Sequence, residues 1–164
     1  MSKEIERKFL VEDQGEEKWR HAAYSEIRQG YLSIDKERTV RVRIAGDDAY
    51  LTIKGITESA TRAEYEYPIP VAHAREILDG LCLRPLIEKR RYRIDYGGLI
   101  WEVDEFFGDN AGLIMAEVEL ESEQQVFDKP PWAGEEVTDD PRYYNANLVN
   151  NPYTRRCERS RRPK

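Results

Sequence analysis

The chain has 164 residues, with 32 Asp and Glu against 26 Lys and Arg, for a formal net charge of −6. That length suits one domain with a real core, and 10 Tyr, 3 Trp and 4 Phe exclude a disordered acidic chain. No stretch approaches ~18 uninterrupted apolar residues, and the charged start Met1-Ser2-Lys3-Glu4 is unlike a secretory signal, so the expectation is a cytoplasmic protein without a membrane span.

In chain order the dominant period is two, the strand signature. Strands are predicted over residues 3–11, 28–34, 38–45, 49–54, 62–69, 86–96, 99–107 and 113–121. Helical spacing is confined to 16–27, to 71–82 with Val71, Ala74, Ile77, Leu78 and Leu81 on one stripe, and to 141–149 after Asp140-Pro141. Gly46-Asp47-Asp48, Gly97-Gly98 and the run from Gly108 to Gly112 are short turn signals, which make neighbouring strands antiparallel. The sum is an α+β protein, an eight-stranded antiparallel β-barrel with a few flanking helices.

Two domains of behaviour are expected along the chain. Residues 155–164 carry six basic groups and one acidic, leaving 20 basic and 31 acidic groups before them, a net of −11. The body, 1–154, is the folded unit and the tail is a solvated, disordered end. So acidic a body disfavours nonspecific nucleic-acid binding. Cys82 and Cys157, with His21 and His73, are too few and too scattered for a disulfide framework or a His and Cys metal site.

The unusual feature lies on alternate strand positions. Glu4, Glu6 and Lys8 share one parity; so do Arg41 and Arg43, Lys54, Glu64 and Glu66, then Lys89, Arg91 and Arg93, Glu102 and Asp104, and Glu117 and Glu119. That is seven basic and eight acidic groups across seven strands. Patterning alone favours these as wet outer faces over an apolar core. Against that, the charges are largely sorted by strand into acidic and basic blocks, and like charges two residues apart bring no solubility gain. Turned into a barrel lumen, the cations could surround an oligoanion while the carboxylates held a divalent cation. Oxygen ligands without His or Cys favour Mg²⁺ or Mn²⁺.

Glu4-Ile5-Glu6-Arg7-Lys8 is similar to the Glu-x-Glu-x-Lys signature of the CYTH, or triphosphate tunnel metalloenzyme, superfamily. Arg41-Val42-Arg43, Lys54, Glu64-Tyr65-Glu66, the run from Lys89 to Arg93 and Glu117-Val118-Glu119 follow in that family's order, over residues 1 to about 150. The resemblance is strongest to short bacterial inorganic triphosphatases, and extends to the segments Trp101 to Phe106, Gly134 to Thr138 and Arg142 to Asn145. It implies that the charged parity faces inward, reversing the reading from pattern alone. It implies Glu4, Glu6, Glu117 and Glu119 as metal ligands and Lys8, Arg41, Arg43, Lys54, Lys89 and Arg91 as phosphate grips. Arg93, Glu64, Glu66, Glu102 and Asp104 are further lining residues, and a Tyr31 and Lys8 pair is implied as the activator of water. Trp101, on the parity opposite Glu102, packs outside the tunnel.

The function implied is metal-dependent hydrolysis of inorganic tripolyphosphate to pyrophosphate and phosphate. Nucleoside, thiamine or RNA triphosphatases and adenylate cyclases of the same fold are the enzymatic alternatives, and a polyphosphate-binding module is the non-enzymatic one. The expected partner is a small molecule bearing a triphosphate, without membrane or specific nucleic acid, bound by a monomer or homodimer.

Overall fold

The computed structural model describes residues 3–12, 18–58 and 60–154, with backbone alone for Lys3 and Glu4. The predicted tail 155–164 lies outside the described residues. Among the described residues nine strands form: β1 Lys3–Val11, β2 Tyr24–Asp35, β3 Arg38–Ala45, β4 Asp48–Lys54, β5 Thr61–Pro68, β6 Ile87–Tyr96, β7 Leu99–Phe106, β8 Ile114–Glu119 and β9 Ala133–Glu136. Among the described residues helices α1 Val71–Gly80 and α2 Asn145–Asn150 and 3-10 turns at Lys18–His21, Gly108–Asn110 and Pro141–Tyr143 accompany them.

Every strand pairing is antiparallel. Eight strands follow the order β5-β4-β3-β2-β6-β7-β8-β1, and the ring closes where β1 meets β5 through Lys3↔Ala63, Glu4↔Arg62 and Ile5↔Thr61. β9 is an extra strand laid on β1. Closure removes the sheet edges that would otherwise template association. Between β6 and β7 the two-residue loop Gly97-Gly98 joins the pair Tyr96↔Leu99 with φ of 59° and 81°, the positive values a type I′ hairpin needs and glycine supplies without strain.

The eight predicted strands all form, but the helix predicted over 16–27 does not. Lys18–His21 is one 3-10 turn, residues 13–17 lie outside the described residues, and Tyr24 to Ile27 are strand, paired with Tyr92 to Lys89 of β6. A short amphipathic run reads ambiguously, and the open edge of β6 decides it. The helix expected over 141–149 is broken at Tyr144, whose φ of −70° and ψ of 132° are extended. β9 has no propensity signal in Ala133-Gly134-Glu135-Glu136; it exists because β1 offers a partner.

Because the lumen is taken up by polar groups, the apolar core lies mostly outside the barrel wall. The outward residues Phe9, Trp101, Val103 and Val118 pack with Trp19 and Tyr92, and Phe127 and Trp132 close over them. Trp101 is fully buried there, on the outer face as its parity predicts. A second cluster sets Ala74 and Leu78 of α1 against Val42 and Ala49. The third fills one end of the barrel, where Leu148 and Val149 of α2 meet Tyr31, Ile87, Phe106, Leu113 and Met115.

Gly30 shows how closely the covering chain approaches. A Cβ there would lie 2.7 Å from Leu86 Cδ2 and 2.8 Å from Cys82 Cβ. Gly30→Ala is expected to cost about 1–3 kcal/mol by forcing that segment outward, read as a lowered midpoint in urea or thermal melting.

Candidate active site

The register turns the sorted charges inward. Direct antiparallel partners share a face, so Lys8↔Glu117 and Glu6↔Glu119 place four charged side chains on one side of the β1 and β8 ladder. Glu117 continues to Glu102 and Glu102 to Arg93, while Asp104 pairs with Arg91. Across the barrel, Tyr31↔Arg41↔Thr52↔Glu66 and Thr39↔Lys54↔Glu64 make two further rows.

These rows enclose a cavity of about 280 Å³. Its basic lining is Lys8, Lys36, Arg41, Arg43, Lys54, Arg62, Lys89 and Arg91, against Glu6 and Glu117 as its carboxylates. The cavity therefore inverts the sign of the acidic body around it. All six predicted phosphate grips line it, as does Tyr31. Of the four predicted metal ligands Glu6 and Glu117 line it; Glu119 is exposed at the next ladder step, and the side chain of Glu4 lies outside the described residues. Glu64, Glu66, Glu102, Asp104 and Arg93 are not among its walls. Glu66 is exposed and accepts from the Thr52 hydroxyl, Arg93 is exposed, and Glu102 pairs with Arg91 at 3.5 Å.

Asp104 is the buried anchor beneath the cations. It is 1% exposed, accepts from Arg91 Nε and Nη2 at 2.7 and 2.8 Å, and pairs with Lys89 Nζ at 2.8 Å. Burial by itself would raise its pKa; Arg91 and Lys89, by charge and by hydrogen bond, overcome that and hold the carboxyl well below the usual range. Burial pulls Lys89 down from the ordinary lysine value, with Asp104 opposing. Burial, followed by Arg41 and Arg91, lowers Arg43 to about 9, so it stays charged at neutral pH.

Arg41 carries the chemical clue. It is 7% exposed, Nη2 donates to Thr52 Oγ1 at 3.2 Å, and its buried Nε has no hydrogen-bond partner. An unsatisfied donor on a buried guanidinium costs on the order of 1–3 kcal/mol and calls for an anionic acceptor from the cavity.

The carboxylates suit a hard cation. Glu6 and Glu117 converge on Lys8, whose Nζ lies 3.4 and 3.9 Å from them. Among the described residues no group of three or more His, Cys, Asp or Glu is arranged to hold a metal ion. Two carboxylates facing a phosphate-sized space nevertheless fit Mg²⁺ or Mn²⁺, which keep water and take the rest of their ligands from substrate oxygens.

Several lining residues were not foreseen. Arg62 shares the parity of Glu64 and Glu66, which would have found it, and it donates to Gly55 O and Thr39 Oγ1. Tyr144, Asn145 and Asn147 come from the segment that closes the barrel end and carry no period to betray them. Lys8 Nζ lies 5.1 Å from the Tyr144 ring centroid, a cation–π contact. Tyr31 is 3% exposed and belongs to the apolar end cluster, and its hydroxyl accepts from Gln29 Nε2 at 3.4 Å.

A closed antiparallel barrel with a cation-lined lumen and paired carboxylates defines a class of oligoanion-binding tunnel proteins. The CYTH domain model matches residues 2–147, and the chain belongs to the CYTH domain family. It is 53% identical over 154 residues to the inorganic triphosphatase of Acetivibrio thermocellus, covering 93% of this chain and 97% of that one. It is 40% identical over 152 residues to the inorganic triphosphatase of Nitrosomonas europaea, covering 89% and 96%. A crystal structure of an inorganic triphosphatase superposes with a TM-score of 0.64 at 36% identity, over 91% of this chain and 95% of the other. Among the described residues no helix is long and apolar enough to cross a membrane.

Proposed function

We propose that this protein is a cytoplasmic, Mg²⁺- or Mn²⁺-dependent hydrolase of inorganic tripolyphosphate, with residues 1–154 sufficient for the activity. The observation that carries the reading is the buried Arg41, with its unpartnered Nε, in a cavity walled by eight basic side chains. The inorganic triphosphatases that are 53% and 40% identical to it over the aligned residues support the same substrate.

Arg41, Arg43, Lys54 and Arg62 hold the phosphate oxygens and orient the chain in the lumen. Glu6 and Glu117 would hold the divalent ion, with Glu119 one ladder step on and Glu4 as the fourth carboxylate of the set. When bound, that ion supplies charge stabilisation at the phosphate oxygens. One member of the Lys8 and Tyr31 pair, in its deprotonated form, takes the proton from water, whose oxygen adds to a terminal phosphorus as the bridging P–O bond breaks and pyrophosphate leaves. The cations neutralise the charge that develops on the phosphoryl oxygens.

Purified protein with tripolyphosphate and Mg²⁺ or Mn²⁺ should release phosphate, and release no greater than an EDTA blank overturns the reading. Nucleoside and thiamine triphosphates in the same assay, with cyclic AMP measured alongside, separate the other activities the fold supports. Tyr31→Phe is expected to lower kcat about a hundredfold with little change in KM. Full activity in that variant removes Tyr31 from the proton transfer and leaves a structural phenol in the end cluster.

A further inference from the structure

Asn145 begins α2 and forms one wall of the cavity. Its Oδ1 accepts from Lys89 Nζ at 2.9 Å and from Gln29 Nε2 at 3.1 Å, while Gln29 Oε1 accepts from Arg43 Nε at 2.8 Å. The Lys89 side chain is withdrawn from solvent, and its ammonium also meets Asp104 at 2.8 Å. Two of its three N–H donors are thus directed at protein oxygens.

On the ladder, Arg91 pairs with Asp104 and Lys89 with Phe106. Phe106 belongs to the apolar cluster that Leu148 and Val149 of α2 complete. Lys89 is therefore the lining cation that borders the filled end of the barrel. A carbonyl oxygen flanked by an ammonium and an amide NH₂ takes the place that a further phosphate oxygen would take on the same donors. A buried ammonium deprived of that acceptor would carry the cost of an unmet charged donor and would recruit another anion oxygen.

We propose that Asn145 sets the length of phosphate chain the lumen accepts, by supplying from the protein the acceptor that ends the row of cations at Lys89. This rests on the tripolyphosphate reading and adds a specificity determinant to it. With Asn145 in place the cations open to the ligand stop before Lys89, whose ammonium is capped by Asn145 Oδ1. Removing its side chain exposes the Lys89 ammonium and opens room beside it for one more phosphoryl group.

The test is titration calorimetry in EDTA with tripolyphosphate and with linear tetrapolyphosphate, on the full chain. Asn145→Ala should raise the affinity ratio of tetrapolyphosphate to tripolyphosphate about tenfold over wild type, the size of one charge-assisted contact. Asn145→Asp keeps an acceptor on Lys89 and should hold the wild-type ratio while weakening both ligands by repulsion. An unchanged ratio in Asn145→Ala overturns the proposal, as does an equal rise in both variants; if Asn145→Ala melts below the assay temperature, Asn145→Ser is held to the same criterion. The two readings separate cleanly. Wild type that binds tripolyphosphate without releasing phosphate under Mg²⁺ or Mn²⁺ loses the hydrolase reading but leaves the ratio test in force, and wild type that releases phosphate under Mg²⁺ or Mn²⁺ yet binds neither chain in EDTA overturns the length proposal alone.

Discussion

Replacement of Asp104 by Asn is expected to lower stability by about 3–5 kcal/mol, a drop in melting temperature of roughly 6–20 °C for a domain of this size. Asp104 is the shared counterion of Lys89 and Arg91, with all three withdrawn from bulk water. The amide keeps the shape and one acceptor, yet leaves Lys89 without its carboxylate and Arg91 with only the longer pairs to Glu102 at 3.5 Å and Glu117 at 3.9 Å. The sign with pH follows from its pKa, which lies well below the usual carboxylate range in the folded chain. A carboxyl depressed on folding contributes stability that is complete above its unfolded value of ~3.9 and is lost as pH falls through the folded value. Asp104's own share of the gap between wild type and Asp104→Asn should therefore be constant from pH 8 down to about 5 and narrow only in stronger acid. Melting curves across that range check both size and sign. A gap that instead opened between pH 6 and 8 would mean that Lys89, not Asp104, governs the difference. Adding Lys89→Met to Asp104→Asn should recover part of the loss, since the double variant leaves one fewer stranded charge.

The second large effect is on binding. Arg41→Ala should raise KM for tripolyphosphate about tenfold to a hundredfold, with a smaller change in kcat. Arg41 offers a planar fork to an oxyanion from a dry wall of the lumen, and hydrogen bonds to a charged partner contribute roughly 1.5–3 kcal/mol each. Arg41→Lys keeps the charge but loses the fork, and should fall between the two. Steady-state kinetics separate the cases: a loss confined to kcat would place Arg41 at the reacting phosphorus rather than in substrate binding. Because Arg41 also donates to Thr52, a melting curve of Arg41→Ala shows how much of any loss belongs to the fold.

The barrel was legible in the chain because a period of two marks a strand directly, and short glycine turns leave antiparallel pairing as the one close arrangement. The site was legible for a different reason: Lys8, Arg41, Arg43, Lys54, Lys89 and Arg91 stand on a shared parity, so a single decision about which face turns inward places all six. Period alone could not make that decision. An amphipathic strand has a charged face and an apolar face whichever one meets solvent, and the ordinary preference would have turned the charges out. The resemblance to the CYTH family reversed that preference, and the lining of the cavity by all six side chains agrees with it.

What the sequence determined by itself was local: eight strands, their turns, helix α1, and the composition of each strand face. The helix predicted over 16–27 gave way to β2 because β6 had an edge to fill, and β9 formed on β1 without any propensity of its own. Only the tertiary structure decided that Glu119 stands exposed while Asp104 is sealed under Lys89 and Arg91, since both are acidic residues on the same parity. It alone brought Tyr144 and Asn145 into the lumen, through an extended residue that breaks the last helix and lets the chain turn into the barrel end. The physical reason is range. Period and turn chemistry act over a few neighbours, whereas burial, ion pairing and closure depend on which distant segment arrives to cover each face.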